Sequence, residues 1–368
     1  MTKELAGGPL IESVEARAYR IPTDGRQGDG TFHWSATELL VVYIRAGGEV
    51  GWGYSYTGAL AGAALVRDTL APSVMGSRAM DLPSLWRHMN QALRNTGRPG
   101  LGLMAASAMD VALWDLKGKL LNAPLSTLWG NARAGVPVYG SGGSTTYTDE
   151  QLQTQLADWR QLGLSAVKIK LGISLEEDLR RVELARTAVG PDVDLMVDVS
   201  GAYDARTALK LIQQVQHLDV GWLEEPVSSD NLDALHWLRD RAPGGMAIAA
   251  GKYGWCGLYF RRMLQAQAAD VLQADGTRCG YTGFMQAAHL CEAFQLPLSA
   301  HGAPALHAAL CACVPNLIHV EYFHDHVQLK NQLFEHLPQV RNGKLWPNRE
   351  RPGHGLAFCA EKAVPFQV

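Results

Sequence analysis

From about residue 135 the chain alternates short apolar runs with amphipathic ones, and few folds accept that alternation. The short runs are VPVYG, AVKIKL, LMVDV, GWLEEP, MAIAAG, DVLQAD, PLSAH and LIHVEY, with strand cores at 137–140, 166–171, 195–199, 221–226, 246–251, 270–275, 297–301 and 317–322. Between them lie stretches such as SLEEDLRRVELARTAVG and DARTALKLIQQVQHL, whose apolar residues recur at helical spacing. Each strand-plus-helix unit takes about 20 to 30 residues, and eight of them predict an α/β chain closed into a (β/α)₈ barrel of the TIM type. An open doubly wound sheet would ask for a glycine fingerprint after a strand. No GxGxxG follows any of these runs.

The chain before the barrel has another rhythm. IESVEARAY alternates, ELLVVYIR is a β-rich run ending at a Gly-Gly turn, and VGWGYSY is a third strand. Residues 59–130 then carry apolar positions at helical spacing, most plainly in LGLMAASAMDVALWDLKGKLL. A three-stranded sheet packed on helices, an α+β unit, is expected over residues 1–132, with the barrel over 133–325 and a C-terminal segment, 326–368, returning to the first unit. Between the first two strands, PTDGRQGDGTFHW reads as a polar, Gly-rich loop. Loops that mix polar and aromatic side chains often touch ligand, so a lid is expected there, with His33 and Trp34 as ligand contacts.

Hydrophobic residues make up 47% of the 368 and charged ones 19%, enough apolar material for a large core and too little charge for disorder. The net charge is −3 with no basic block, so neither nucleic acid nor an anionic membrane is an expected partner. MTKELAGGPL has no long apolar segment, and no later run approaches a membrane span, so a cytoplasmic protein without signal peptide is expected. The cysteines (256, 279, 291, 311, 313 and 359) form no Cys-x-x-Cys. Reduced thiols fit that spacing better than a zinc site or a disulfide framework.

Chemistry gathers at the predicted C-terminal ends of the strands, where such barrels carry their active sites. Lys168 and Lys170 end the second strand, Asp198 the third, and Glu224 and Glu225 the fourth. Lys252 follows the fifth, Asp275 ends the sixth, His301 the seventh and Glu321 the eighth. Residues i and i+2 of a strand share a face, so the two lysines of VKIKLG project together, and their repulsion is expected to lower the pKa of one or both. Lysines guarding an edge strand are the plainer reading of that pair alone. A whole ring of ionisable groups at one relative place demands pairing, a metal or shifted pKa values.

Those residues carry a resemblance. In order and spacing, VKIKLG, DVSGAY, WLEEPV, IAAGKYGW, VLQAD, SAHG and the Glu321 of HVEY resemble the enolase superfamily, within it the mandelate racemase subgroup, over nearly the whole chain. The resemblance implies an α+β capping domain that sets specificity. It implies Lys170 as base on one face of the substrate with Lys168 beside it, and His301, oriented by Asp275, as base or acid on the other. It implies Glu321 hydrogen-bonding a developing enolate, Asp198 and Glu224 as two of three carboxylate ligands to Mg²⁺, and a homo-oligomer. The implied reaction is proton abstraction α to a carboxylate of a small hydroxy or sugar acid. Dehydration is the first expectation, with racemisation, epimerisation or cycloisomerisation second. A lysine on the sixth strand would mark the muconate cycloisomerase type, and Asp275 stands there instead.

One position departs from the pattern. Where the family has Gly-Glu after the fifth strand, this chain has Gly251-Lys252, and Asp275 follows at the expected distance. An ammonium donates and cannot accept. Lys252 is therefore expected to put its charge in the metal position between Asp198 and Glu224, making Mg²⁺ binding weak or absent. A non-catalytic, acid-binding relative is the reading from another class. Alternatively, Lys252 swings out and Glu225 replaces it as a ligand. Substrate contacts are expected from His33, Trp34, Tyr54 and Arg98, the last as a carboxylate clamp.

Overall fold

The computed structural model describes residues 8–368. Residues 1–7, part of the stretch read as lacking a signal peptide, lie outside the described residues. Three antiparallel strands come first: β1 (Ser13–Gly28), β2 (His33–Ala46) and β3 (Glu49–Ser55), in that order across the sheet. Three principal helices cover one face of this sheet: α1 (Ala59–Leu65), α2 (Leu82–Ala92) and α3 (Leu101–Leu120). Leu40, Val42 and Ile44 of β2 join Leu85, Met89, Leu103 and Met109 in one buried cluster. Alternate residues of a strand share a face, so β2 can feed this cluster with one side and the barrel's core with Leu39 and Val41 on the other.

The stretch read as a loop is mostly strand. β1 runs on to Gly28 and pairs Gln27 with Trp34 and Gly28 with His33, after a register shift between Pro22 and Gln27. Its Gly, Asp and Thr residues mimic turn composition, but the hairpin finds partners on the barrel. Gly28 N donates to Ser144 Oγ (2.7 Å), and Thr145 N donates to the Gly28 carbonyl (3.0 Å). At the tip, a Cβ on Gly30 would lie 2.6 Å from the Val199 carbonyl oxygen and 2.8 Å from that of Leu171. Only glycine lets the hairpin sit this close to the strand ends.

Eight parallel strands follow: β4 (Val136–Ser141), β5 (Ala166–Lys170), β6 (Asp194–Asp198), β7 (Val220–Glu224), β8 (Ala247–Ala250), β9 (Val271–Ala274), β10 (Leu298–Ala300) and β11 (Leu317–Phe323). Pairing of Val320–Phe323 with Val138–Ser141 closes the barrel, as the alternation predicts. The surrounding helices are α4 (Asp149–Gln161), α5 (Leu175–Val189), α6 (Ala205–Val215), α7 (Leu232–Arg239), α8 (Gly257–Gln265), α9 (Gly276–Ala293), α10 (Pro304–Cys311) and α11 (His324–Leu333). Val167, Ile169 and Leu171 belong to the large core shared with the helices, while Tyr139, Met196, Trp222, Ala249 and Val271 form a separate apolar cluster. Lys168 lies against Tyr139 of that cluster, its ammonium 5.2 Å from the ring centre.

Two further contacts join cap and barrel away from the hairpin. Asp110 of α3 is buried and accepts from Thr282 N (2.9 Å) and Thr282 Oγ1 (2.6 Å) of α9, where the helix breaks at Gly280 (φ +67°). Burial pushes the Asp110 carboxyl up to about 7. From the C-terminal stretch, Phe334, His354 and Phe358 surround Trp52 of β3, with ring centres 4.9 to 5.7 Å away. His354 Nε2 is 2.9 Å from the Trp52 carbonyl, and Gln367 bridges to Tyr19. All six cysteines are free, and no helix among the described residues is long and apolar enough to cross a membrane.

Candidate active site

The ionisable strand ends form one connected network. Lys168, 1% exposed, stands 2.5 Å from Glu224 Oε2, 2.8 Å from Glu321 Oε1 and 3.4 Å from the Tyr139 hydroxyl. Burial would lower its pKa, but Glu224 and Glu321 outweigh that and raise it well above the ordinary lysine value. The lowering expected from the lysine pair therefore does not occur at Lys168. The carboxylates of Glu224 and Glu321 in contact with it decide the direction. Lys170 is 3.7 Å from Asp198 Oδ2, and its ammonium lies between the rings of Phe323 (5.4 Å) and Trp34 (5.8 Å).

Lys252 does not swing out. It is 4% exposed, with Nζ 3.0 Å from Asp198 Oδ2, 2.8 Å from Glu224 Oε1 and 3.0 Å from Glu225 Oε2. Burial opposes its charge, yet Asp198, Glu224 and Glu225 together raise its pKa well above the usual value. The carboxylates answer in kind. Burial alone would raise Asp198 and Glu224, but the lysines hold both below the ordinary range. Glu225 goes the other way, raised by a burial that Lys252 offsets only in part. Its backbone is left-handed (φ +40°), as is that of Ser200 (φ +53°), a conformation that costs energy away from glycine. Ser200 donates to Asp198 Oδ1 from its N (2.8 Å) and its hydroxyl (3.2 Å), while Gln273 Nε2 donates to Glu224 Oε2 (2.9 Å).

His301 and Asp275 pair as their motifs imply, with Nδ1 to Oδ2 at 2.9 Å. Asp275 also accepts from Thr277 N and Oγ1 (2.7 Å each). Against the cost of burial, His301 keeps this carboxyl well below its usual range. An ionised carboxylate only accepts, so Nδ1 carries the hydrogen and the other ring nitrogen is free for proton transfer. That nitrogen, Nε2, is 3.6 Å from Glu321 Oε2. Glu321 accepts from Ser141 Oγ (2.6 Å) and Gly302 N (2.7 Å), and despite burial Lys168 and His301 keep it below the ordinary carboxylate range.

Of the expected substrate contacts, Trp34 reaches the mouth. Its indole donates to Asp325 Oδ2 (2.6 Å), the second residue of α11. The residues on either side also meet the cap. His324 Nε2 pairs with Asp24 Oδ2 (2.6 Å), and His326 stacks on Tyr56 with ring centres 3.6 Å apart. His33 is exposed on the hairpin opposite Gly28. Tyr54 is a correction: it is fully buried between Trp52, Tyr56 and Phe334, a core position set by the β3 alternation. Arg98 is another. Its Nε donates to the Asn90 carbonyl (2.9 Å), tying α2 to the loop before α3, and it clamps nothing at the mouth.

Several mouth residues escaped the sequence reading. Tyr139, Trp222 and Gln273 stand two residues before Ser141, Glu224 and Asp275, and the period of two would have placed them on the inner face. Asp325 and His326 follow the last strand end, where no periodicity points.

The comparisons place the chain in a family. Residues 30–130 match the family described as the mandelate racemase / muconate lactonizing enzyme N-terminal domain, and residues 151–363 the one described as enolase C-terminal domain-like. The chain belongs to the mandelate racemase/muconate lactonizing enzyme family of the enolase superfamily. It is 31% identical to 3,6-anhydro-alpha-L-galactonate cycloisomerase from Streptomyces coelicolor, covering 96% of this chain and 98% of that protein. It is 27% identical to L-talarate/galactarate dehydratase from Salmonella typhimurium, over 87% of this chain and 80% of the other. Among solved structures, a Streptomyces coelicolor racemase with bound magnesium superposes with a TM-score of 0.92 at 31% identity, covering 98% of this chain and all of that one (100%).

Members of this superfamily bind magnesium, and the donor set here can be judged against that ion. Mg²⁺ needs near-octahedral oxygen at about 2.1 Å. Between Asp198 and Glu224 this chain offers the ammonium of Lys252, which repels a cation and has no lone pair to give. Among the described residues no group of three or more His, Cys, Asp or Glu is arranged to hold a metal. The side chains present do not fit the ion.

Proposed function

We propose that this protein removes the proton α to the carboxyl group of a small hydroxy or sugar acid, and that the main outcome is loss of water from the neighbouring carbon. The single observation that carries this is the His301–Asp275 pair, 2.9 Å apart, facing the same network as Lys170. In this reading His301 Nε2 takes or gives the proton at carbon, Asp275 fixes its tautomer, and Lys170 serves the opposite face. When the β-carbon carries a hydroxyl, protonated His301 delivers its proton to the departing oxygen, giving an enol that becomes a 2-keto-3-deoxy acid. Lys168 and Glu321 hold each other in place, and Glu321, as an ionised acceptor, orients substrate hydroxyls. Racemisation, epimerisation or cycloisomerisation of a similar acid is the second outcome the same pair of groups allows. Trp34 and the hairpin tip supply the wall over the substrate.

Lys252 sets the terms of this chemistry. We expect Mg²⁺ to bind weakly or not at all, and no step above is routed through it. The same lysine favours a second reading, an acid-binding relative without turnover. A panel of aldonates and aldarates, incubated with and without Mg²⁺, separates the two. Keto-acid product, read as its semicarbazone, or loss of the α-proton signal in D₂O supports turnover. Binding of an acid by calorimetry with neither signal supports the second reading.

A further inference from the structure

An ammonium group has three N–H donors, and two lysines of the mouth commit theirs to protein. Lys252 faces Asp198 (3.0 Å), Glu224 (2.8 Å) and Glu225 (3.0 Å). Lys168 faces Glu224 (2.5 Å), Glu321 (2.8 Å) and Tyr139 (3.4 Å). Two cations are held more loosely. Lys170 has its nearest carboxylate at 3.7 Å. Arg278, in the first turn of α9, has Nε 3.6 Å from Asp275 Oδ2, too long for a hydrogen bond. Among the described residues that Nε is buried without a partner. Arg181 also has an unpartnered Nε, but its terminal nitrogens donate to the carbonyls of Gly143, Ser144 and Tyr147. Arg278 has no such bonds. A buried donor left unpaired is rare in a folded protein and asks for an acceptor.

The place of Arg278 suits a ligand of this site. Its guanidinium lies 4.9 Å over the ring of Tyr253, and Lys252 Nζ is 5.8 Å from the same ring. On another side, Asp275 Oδ2 is bonded to His301 Nδ1 at 2.9 Å. One side chain thus separates Arg278 from Lys252, and one separates it from His301. Its side chain is 25% exposed, so a small solute can reach it. Stacking on an aromatic face steadies a guanidinium and leaves its N–H edge available. That edge matches a carboxylate with two parallel hydrogen bonds, and it keeps its charge throughout the working range of pH. A carboxylate that loses its α-proton becomes an enediolate with two negative charges. Stabilisation must come from donors aimed where the charge develops, and Arg278 and Lys170 supply two uncommitted positive charges.

Resting on the proton-abstraction reading above, we propose that Arg278 binds the substrate's carboxylate, the group next to the carbon that His301 deprotonates. The acid is therefore taken as its anion. His301 Nε2 takes the α-hydrogen as a proton. The C–H electron pair becomes the new C=C bond, and the carbonyl π pair moves to an oxygen that already faces the guanidinium. Lys170, protonated, is the second cation. Return of a proton from His301 to the same carbon restores the acid, so in D₂O the net change is one deuterium for one hydrogen, with no co-reactant.

The test is calorimetry on the unmodified protein, Arg278→Gln and Arg278→Lys, with EDTA present. The probes are the sodium salts of D-galactonate, D-xylonate and galactarate, set against D-galactonamide and D-xylonamide, which keep the hydroxyls and lack the charge. A salt should bind the unmodified protein and bind Arg278→Gln about tenfold or more weakly. Arg278→Lys, a point charge without the fork, should fall between. The amides should bind the unmodified protein no better than Arg278→Gln, a result that a merely distorted mouth would not give. If the glutamine variant does not fold, the lysine variant carries the same comparison of salt with amide. Salts that bind all three proteins alike overturn the assignment, as do salts and amides weakened together, or no salt binding to the unmodified protein. Proton abstraction is read separately, as α-deuteration of the same salts in D₂O that is lost in His301→Asn. Exchange with an affinity indifferent to Arg278 keeps that reaction and ends the role of Arg278. An affinity that depends on Arg278, with no exchange, keeps the anchor and ends the reaction.

Discussion

Lys252 and Glu224 meet at 2.8 Å inside the barrel mouth, while the other oxygen of the same carboxylate is held by Lys168 at 2.5 Å. Glu224 is thereby gripped from two sides by ammonium groups. Removing one partner of such a buried pair leaves a stranded charge, a loss of about 3–5 kcal/mol. Lys252→Met is expected to show a loss of that order in urea unfolding, more than a surface lysine would.

Lys252→Glu reverses the sign. Without metal the variant gathers Asp198, Glu224, Glu225 and the new glutamate, and is expected to be less stable than the parent. Mg²⁺ should restore it by mass action, about 2.7 kcal/mol at a hundred times its dissociation constant. Calorimetry should find millimolar or tighter Mg²⁺ binding in the variant and none in the parent. Equal binding in both would defeat the expectation.

His301→Asn and Asp275→Asn address proton transfer. Each should slow α-proton exchange or dehydration by about 10²- to 10⁴-fold, the usual contribution of a positioned acid or base. Asp275→Asn should also distort the pH–rate profile, because an amide can donate to Nδ1 and so permit the wrong ring tautomer. A profile of unchanged shape would leave Asp275 a structural partner only.

Trp34→Phe removes the indole donor from Asp325, a carboxyl that burial already pushes up. A hydrogen bond to a charged group contributes about 1.5–3 kcal/mol, and the loss should appear as a raised KM with kcat changed less. Arg98→Ala, which removes a bond to the Asn90 carbonyl within the cap, should leave both constants unchanged.

The pH dependence of stability has two opposed parts. Asp110 keeps its proton to about pH 7, whereas the unfolded chain releases it near 3.9. In that window the native state binds more protons, so stability falls as pH rises from about 4 to about 7, by a few kcal/mol at most, and then levels. Asp110→Asn should abolish this slope in urea titrations at stepped pH. Asp198, Glu224, Asp275 and Glu321 are held below their ordinary values, so their contribution is present above the ordinary carboxylate range. It is lost as pH falls through their native values.

The barrel and its ring of charges were readable because strands buried on both faces leave unbroken apolar runs, and polar residues at their ends stand out against them. Lys252 was visible for the same reason. Tyr54 misled because a tyrosine in a strand shows its hydroxyl to a reader of sequence but not which face it occupies. Arg98 misled because a guanidinium clamps a carbonyl as readily as a carboxylate. The hairpin over the mouth was mistaken for a loop because its pairing rests on contacts with Ser144 and Thr145, more than a hundred residues away. Asp325 and His326 had no signal of their own, since what they touch is settled only when the two units meet.

That meeting has a practical side. His324, Asp325 and His326 open the helix that follows the last barrel strand, yet they engage Asp24, Trp34 and Tyr56 in turn. A chimera that grafts a foreign cap onto this barrel would bring strangers to that tripeptide. Swapping substrate preference between relatives should therefore succeed only when 324–326 travel with the donor's cap, a requirement that cutting the gene at the domain boundary would miss.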